Sequence, residues 1–224
     1  MPGKGPAKPS FRSLAMKSRR WHARAGFETA PVGSIVCSNS IPFGGSVPPL
    51  MRSDTNRLKI EQLMDALGKA GLAPGRVYFT GGATAVLFGW REMTVDVDFK
   101  LDPEPQGIFN ALPKLKNELD LNIELASPDQ FVPCLPGWRE RSLFIAQRGA
   151  VEFYHYDLYS QALSKIERFH ARDQADVQKM FQDGWVDKAR LWDLFQEIEP
   201  ELIRYPAVEP AALRARVEKL TREP

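Results

Sequence analysis

Two aspartates on one short stretch are the residues of this chain whose types and spacing could do chemistry. Asp96 and Asp98 alternate with apolar residues over 94–101, so a strand there places both carboxylates on one face. Paired carboxylates are hard oxygen ligands that suit Mg²⁺ or Mn²⁺. A metal ion held by them could align a triphosphate, activate an attacking hydroxyl and neutralise leaving pyrophosphate.

Two adjacent glycines lie upstream of these aspartates. Gly81 and Gly82 follow the apolar run 76–80 and precede a short apolar helix over 83–90. Such a pair at a strand-to-helix turn lets backbone N–H groups approach a phosphate closely. Either feature alone is weak, because a glycine pair is usually a turn and an Asp-x-Asp strand is usually a solvated face. Their order and spacing together favour a functional site.

The elements that position these residues can be predicted from hydrophobic periodicity. An α/β half is followed by a helical half, and no internal repeat is visible. The helices are predicted over 55–71, 83–90, 106–119, 157–168, 171–183, 187–199 and 208–221. The strands are predicted over 76–80, 94–101 and 121–125, with a hairpin of 142–146 and 151–156 after a loop over 126–140.

The first fifty residues differ from the rest in charge and composition. They carry seven basic residues, one acidic residue and 13 glycines and prolines, without a helical or alternating period. We predict a disordered basic leader over 1–52, an α/β core over 53–158 and a helical region over 159–224. An over-long gene start ahead of Met51, a transit peptide and a nucleic-acid-binding arm stay open as alternatives for the leader.

Charge and composition also exclude some classes of function. Without the leader the chain is net acidic, so its net charge of +2 is not evidence that the main region binds nucleic acid. No apolar run reaches about 18 residues, so we expect no membrane partner. Two cysteines are too few for a disulfide scaffold and too sparse for a zinc site, and we expect a cytoplasmic protein.

The stretch FTGGATAVLFGWREMTVDVDF resembles the nucleotidyltransferase superfamily typified by DNA polymerase beta. With an arginine and a threonine ahead of the aspartates, it is most similar to the minimal and abortive-infection nucleotidyltransferases, many of them toxins of bacterial toxin–antitoxin pairs. The stretch ALSKIERFHARDQADVQKMFQDGWVD resembles their downstream segment. The resemblance covers about residues 75–200 and implies a nucleotidyltransferase fold, a small mixed sheet flanked by helices and followed by a helical C-terminal part.

The resemblance also implies roles for individual residues. These are Gly81 and Gly82 at the triphosphate, Asp96 and Asp98 at the metal, Lys165 at a phosphate, and Asp173 or Asp176 near the site. Read without the resemblance, Lys165 is a surface lysine, and Asp173 and Asp176 belong to a cap and an ion pair along one helix.

Two further assignments stay open in the sequence. The third carboxylate of the superfamily is Glu124 by first choice, with Glu152 and Asp157 as competitors. Arg91 either clamps a nucleotide phosphate bidentately or anchors its strand by pairing with Asp96.

The predicted function is a metal-dependent transfer of NMP from NTP to a hydroxyl. By resemblance the acceptor is RNA, such as a tRNA end, or a protein, and the chain is a toxin with a cognate antitoxin. One alternative is a catalytically inactive nucleotidyltransferase fold that binds a nucleotide or a partner. Another is an interaction protein whose helical tail docks an antitoxin or a second copy of the chain.

Overall fold

The computed structural model describes residues 54–222, which form a mixed sheet with helices on both sides. The strands are β1 (Thr55–Asn56), β2 (Gly75–Phe79), β3 (Met93–Thr94), β4 (Asp96–Leu101), β5 (Asn122–Glu124), β6 (Leu143–Arg148) and β7 (Val151–His155). The helices are α1 (Arg57–Ala70), α2 (Gly81–Leu87), α3 (Ile108–Glu118), α4 (Trp138–Arg141), α5 (Leu158–Arg168), α6 (Ala171–Gln182), α7 (Lys188–Ile198) and α8 (Pro210–Arg222). Two 3₁₀ turns cover Pro128–Gln130 and Glu199–Arg204.

The main sheet has five strands in the order β5-β4-β2-β7-β6. Strand β2 runs antiparallel to β4 and parallel to β7, while β4 and β5 are parallel. Strands β6 and β7 form the predicted hairpin, and β1 pairs with β3 in a separate two-stranded ribbon. The predicted fold class, a mixed α/β sheet followed by a helical part, is confirmed.

Helices α1 and α3 cover one face of the sheet. Alternation along β2 and β4 buries Val77, Phe79, Val97 and Phe99 against apolar residues of α1 and α3. The residues between them point to the opposite face, where Asp96 and Asp98 stay partly accessible. A second apolar cluster fills the space between α5, α6, α7 and α8. Val132 and Leu135 of the loop after β5 belong to the same cluster, so it joins the helical tail to the α/β part.

Three local differences from the predicted elements surround the glycine pair and the aspartates. Helix α2 begins at Gly81, two residues earlier than predicted. The predicted strand 94–101 is broken at Val95, where the Thr94 hydroxyl donates to the carbonyl of Asp96 at 3.1 Å and β3 turns to pair with β1. The predicted loop 126–140 contains one 3₁₀ turn and the start of α4.

The predicted leader 1–52 lies outside the described residues, and the boundary between residues 158 and 159 stays a prediction. Within residues 54–222, no helix is long and apolar enough to cross a membrane.

Buried His155 makes the stability of this fold depend on pH. It closes β7, its ring centroid lies 4.3 Å from that of Phe88, and its Nδ1 is 3.5 Å from the Thr84 hydroxyl. Burial, together with the positive charge of Arg57, lowers the pKa of His155 from 6.5 to about 4. The neutral ring therefore contributes stability above pH 6.5 that is lost as pH falls toward 4.

We expect His155→Asn to flatten this pH dependence. Between pH 6.5 and 4, the free energy of unfolding should fall by about 1–3 kcal/mol more in the wild type than in the variant. Urea unfolding at a series of pH values measures this difference, with His170→Asn at an exposed histidine as the control. Parallel curves for the wild type and His155→Asn would contradict the assignment.

Candidate active site

The two aspartates of β4 lie beside two polar residues of the neighbouring strand. In the parallel register, Asp96 is opposite Asn122 and Asp98 is opposite Glu124. The Asn122 amide donates to Asp96 Oδ1 and, at 3.4 Å, to Glu124 Oε1. Three carboxylates and one amide therefore share the open face at this end of the sheet. The alternation along β4 predicts that Asp96 and Asp98 lie on this face together.

Asp98 is the carboxylate most affected by this crowding. Burial is the main cause that raises its pKa from 3.8 to about 6, and the negative charges of Asp96 and Glu124 raise it further. The positive charges of Arg168 and Lys165 act in the opposite direction without cancelling the effect. Asp98 is thus held where its charge is unfavourable unless a cation comes close.

Gly81 and Gly82 lie too close to neighbouring side chains for either position to carry a side chain of its own. Gly81 has a positive φ of 56°, and a Cβ there would lie 2.8 Å from Asp98 Oδ2. A Cβ on Gly82 would collide with the Thr94 hydroxyl. A larger residue at Gly81 would press on Asp98 and one at Gly82 would press on Thr94, so the two glycines let the turn lie close to both residues.

A buried glutamine of α5 holds the glycine turn in place. Gln161 Oε1 accepts the Gly81 N–H at 3.0 Å, and Gln161 Nε2 donates to the Tyr156 carbonyl at 2.8 Å and to the Thr84 hydroxyl at 3.3 Å. The N–H of Gly81 is therefore already used within the protein. This corrects the expectation that both glycines offer a free N–H to a phosphate.

Behind the aspartates lies a buried network of ion pairs. The ammonium of Lys165 contacts Asp176 Oδ2 at 2.6 Å and Asp173 Oδ1 at 3.2 Å, and Arg168 pairs with Asp173 at 3.0 Å. The Lys165 side chain is 3% exposed, so the interpretation as an ordinary surface lysine is wrong. The carboxylates fix Lys165 at the edge of the cleft, because a buried ammonium needs partners.

Arg91 belongs to the same network. Its Nε and Nη2 bind Asp176 at 3.0 and 2.6 Å, and Nη2 also donates to the Arg172 carbonyl. The alternative that Arg91 pairs with Asp96 is therefore wrong, because the loop after α2 turns toward α6 and not toward β4, and the contact of Arg91 with a phosphate stays a prediction. The predicted ion pair of Asp176 within its own helix is replaced by these contacts with Arg91 and Lys165.

The two competitors for the third carboxylate have other partners. Asp157 is fully buried, caps α5 through the N–H of Ser160 at 3.2 Å and binds Arg141 bidentately. Glu152 pairs with Arg76 at 2.9 Å, beside the start of β2. Glu124 alone of the three lines the cleft with Asp96 and Asp98, and its catalytic role stays a prediction.

The cleft has two limbs that meet at Gly81, Asp96, Asp98, Lys165 and Arg168. The large limb has a volume of about 850 Å³ and is also lined by Gly82, Arg91, Thr94 and Asp173. The small limb has a volume of about 160 Å³ and is also lined by Glu124, Ser127, Phe131, Gln161 and Ser164. Every predicted site residue except Asp176 lines one of the limbs, and Asp176 supports Arg91 and Lys165 from behind.

Sequence reasoning missed several residues of this cleft. Gln161 and Arg168 lie four residues before and three residues after the predicted Lys165, which places them on the same face of α5, and this spacing was a usable signal. Phe131 comes from a loop without periodicity, so no pattern in the sequence indicates that it lines the cleft. Its position depends on contacts between elements that are distant in sequence.

A divalent cation is compatible with Asp96 and Asp98. Both offer hard oxygen ligands on one strand face, and a cation would relieve the crowding that raises the pKa of Asp98. Among residues 54–222, however, no group of three or more Asp, Glu, His or Cys side chains is arranged to hold a metal ion by itself. The remaining ligands would have to come from a substrate and water.

This combination of a mixed sheet, a glycine turn and a carboxylate pair on the adjacent strand is that of the nucleotidyltransferase superfamily. The chain belongs to the family described as nucleotidyltransferase of unknown function (DUF6036), whose model matches residues 56–205. No curated protein and no solved structure matches the chain significantly. The similarity to the abortive-infection branch therefore stays a prediction.

We expect Asp98→Asn to stabilise the protein in metal-free buffer. A carboxylate whose folded pKa lies above its unfolded value reduces stability above that folded pKa, here about 6, and has no effect well below 3.8. The variant should gain about 1–3 kcal/mol in free energy of unfolding at pH 8, and the gain should disappear near pH 3.

The matched control is Asp129→Asn. Burial acts to raise the pKa of Asp129, but hydrogen bonds from Lys100 and Ser127 outweigh it, so the pKa is lowered. The same substitution should therefore destabilise the protein at pH 8. Loss of stability in Asp98→Asn at pH 8 would contradict the electrostatic account.

Proposed function

We propose that the chain is a metal-dependent nucleotidyltransferase that moves NMP from NTP to a hydroxyl of an RNA or protein acceptor. The observation that carries this proposal is the convergence of Asp96, Asp98 and the Gly81 turn in one cleft. The family match supports the reaction class, and the large limb has the volume of a nucleotide site. Four cationic side chains line this limb and suit the negative charge of a triphosphate: Arg91, Lys165, Arg168 and Arg172.

In the proposed reaction, the carboxylates and cations of the cleft have different roles. Asp96 and Asp98 would hold Mg²⁺ or Mn²⁺, which when bound neutralises phosphate charge and favours the ionised hydroxyl. The acceptor oxygen attacks the α-phosphorus, the bond to pyrophosphate breaks, and Glu124 accepts the hydroxyl proton. Lys165 and Arg168 stabilise the charge that develops on the phosphates, and Asp173 and Asp176 keep Lys165 in position.

We expect Asp96→Asn and Asp98→Asn to lose NMP transfer by about 100-fold or more, because each removes a metal ligand. The purified full chain is incubated with each α-labelled NTP, Mg²⁺ or Mn²⁺ and total bacterial RNA, and label in RNA or protein is counted. A chelator should also abolish the label. Asp102→Asn, just beyond the other end of β4, is the matched control because Asp102 pairs with Arg139.

The outcome of this assay separates the enzyme from an inactive relative. Full activity in Asp96→Asn would contradict the proposal.

One observation favours the second candidate, a protein that binds nucleotide without turnover, since the Asn122 amide already donates hydrogen bonds to Asp96 and Glu124. That candidate predicts NTP binding by calorimetry with no release of pyrophosphate for any NTP.

The resemblance to abortive-infection nucleotidyltransferases extends the proposal to a toxin with a cognate antitoxin in the cytoplasm. Induced expression in bacteria should then stop growth, because transfer to an essential RNA or protein blocks its use. Asp98→Asn should restore growth at equal protein level, as measured by colony counts and immunoblot. Equal growth arrest by both forms would overturn the link between toxicity and transfer.

A further inference from the structure

The two limbs of the cleft differ in the residues that line them. Gly82, Arg91 and Thr94 line only the large limb, where the glycine turn and the arginine suit a triphosphate. Glu124 and Phe131 line only the small limb. If Glu124 accepts the proton of the attacking hydroxyl, the acceptor must occupy the small limb. This step rests on the proposed function.

The small limb limits what can enter it. Its volume of about 160 Å³ admits one terminal group and not a duplex. Phe131 is half-buried at its wall, and the Arg168 guanidinium lies 5.4 Å from the centroid of the Phe131 ring. An aromatic ring next to an arginine, within reach of the reactive carboxylates, is a surface on which a planar group can stack.

A second hollow continues from Phe131 away from the aspartates. It has a volume of about 320 Å³ and is lined by Phe131, Arg204, Tyr205 and Pro206, among other residues. The Tyr205 hydroxyl donates to the Asp129 carbonyl at 3.1 Å, which fixes the ring. Phe131 lies beside Arg168, and Tyr205 lines the second hollow together with Arg204 and Glu167, so two aromatic side chains mark one path that leads out of the active site.

Aromatic side chains that offer stacking surfaces, with cationic side chains near them, are features that bind single-stranded nucleic acid. A protein side chain would need only the small limb, whereas a polynucleotide continues past Phe131 into the second hollow. We propose that this path seats the 3′-terminal nucleotides of a single-stranded RNA acceptor. Phe131 is the platform for the terminal base, and Tyr205 lies beside the next nucleotides.

The test measures RNA binding apart from transfer. A fluorescent RNA of eight nucleotides with a free 3′ hydroxyl is titrated with the full chain, and a non-hydrolysable NTP analogue is titrated in parallel. Phe131→Ala should weaken RNA binding by about ten-fold or more, because one stacked base is lost. Phe131→Trp should bind RNA as the wild type does, and neither variant should change NTP affinity more than about two-fold.

The control is Phe144→Ala, which removes an exposed phenylalanine from the edge strand β6. Equal weakening by Phe131→Ala and Phe144→Ala would overturn the path, and so would a loss of NTP affinity in Phe131→Ala. Label that enters only protein, with no RNA binding, would overturn the path and leave the enzyme intact. RNA binding that depends on Phe131 without any NMP transfer would overturn the enzyme and leave the path intact.

Discussion

The buried ammonium of Lys165 is the contact on which the rest of the cleft depends. It lies between Asp173 and Asp176, and Arg91 from the loop after α2 closes the group on the other side. Removing one partner of such a group leaves a buried charge unpaired, which costs about 3–5 kcal/mol. Through the pair of Arg91 with Asp176, the network therefore connects the helical tail to the α/β core and holds one wall of the cleft in place.

The opposite wall is built under a different constraint. Asp98 lies among like charges and against a glycine turn that leaves no room for a side chain. The positive charges of Lys165 and Arg168 lie near Asp98, but they only partly offset the free-energy cost of its negative charge. Such an arrangement lowers the stability of the free protein, and carboxylates with a raised pKa are common at functional sites.

Helix α5 connects these two walls. Its N-terminus is capped by buried Asp157, Gln161 on its next turn fixes the Gly81 turn, and Lys165 and Arg168 follow along the same side. A change in the orientation of this one helix would move the glycine turn and the cations together. The helical part is thus a structural component of the candidate active site.

The sequence by itself determined most of the long helices and the strands of the main sheet, and the shared face of Asp96 and Asp98, because these follow from short-range periodicity. It also placed Gly81 and Gly82 at a strand-to-helix turn, because an apolar run precedes them and an apolar helical segment follows them. Only the tertiary structure decided that Arg91 pairs with Asp176, that Glu124 and not Asp157 lines the cleft, and that Phe131 joins two hollows. These outcomes depend on strand order and helix packing, which bring together residues 80 positions apart, as with Gly81 and Gln161, and 85 positions apart, as with Arg91 and Asp176.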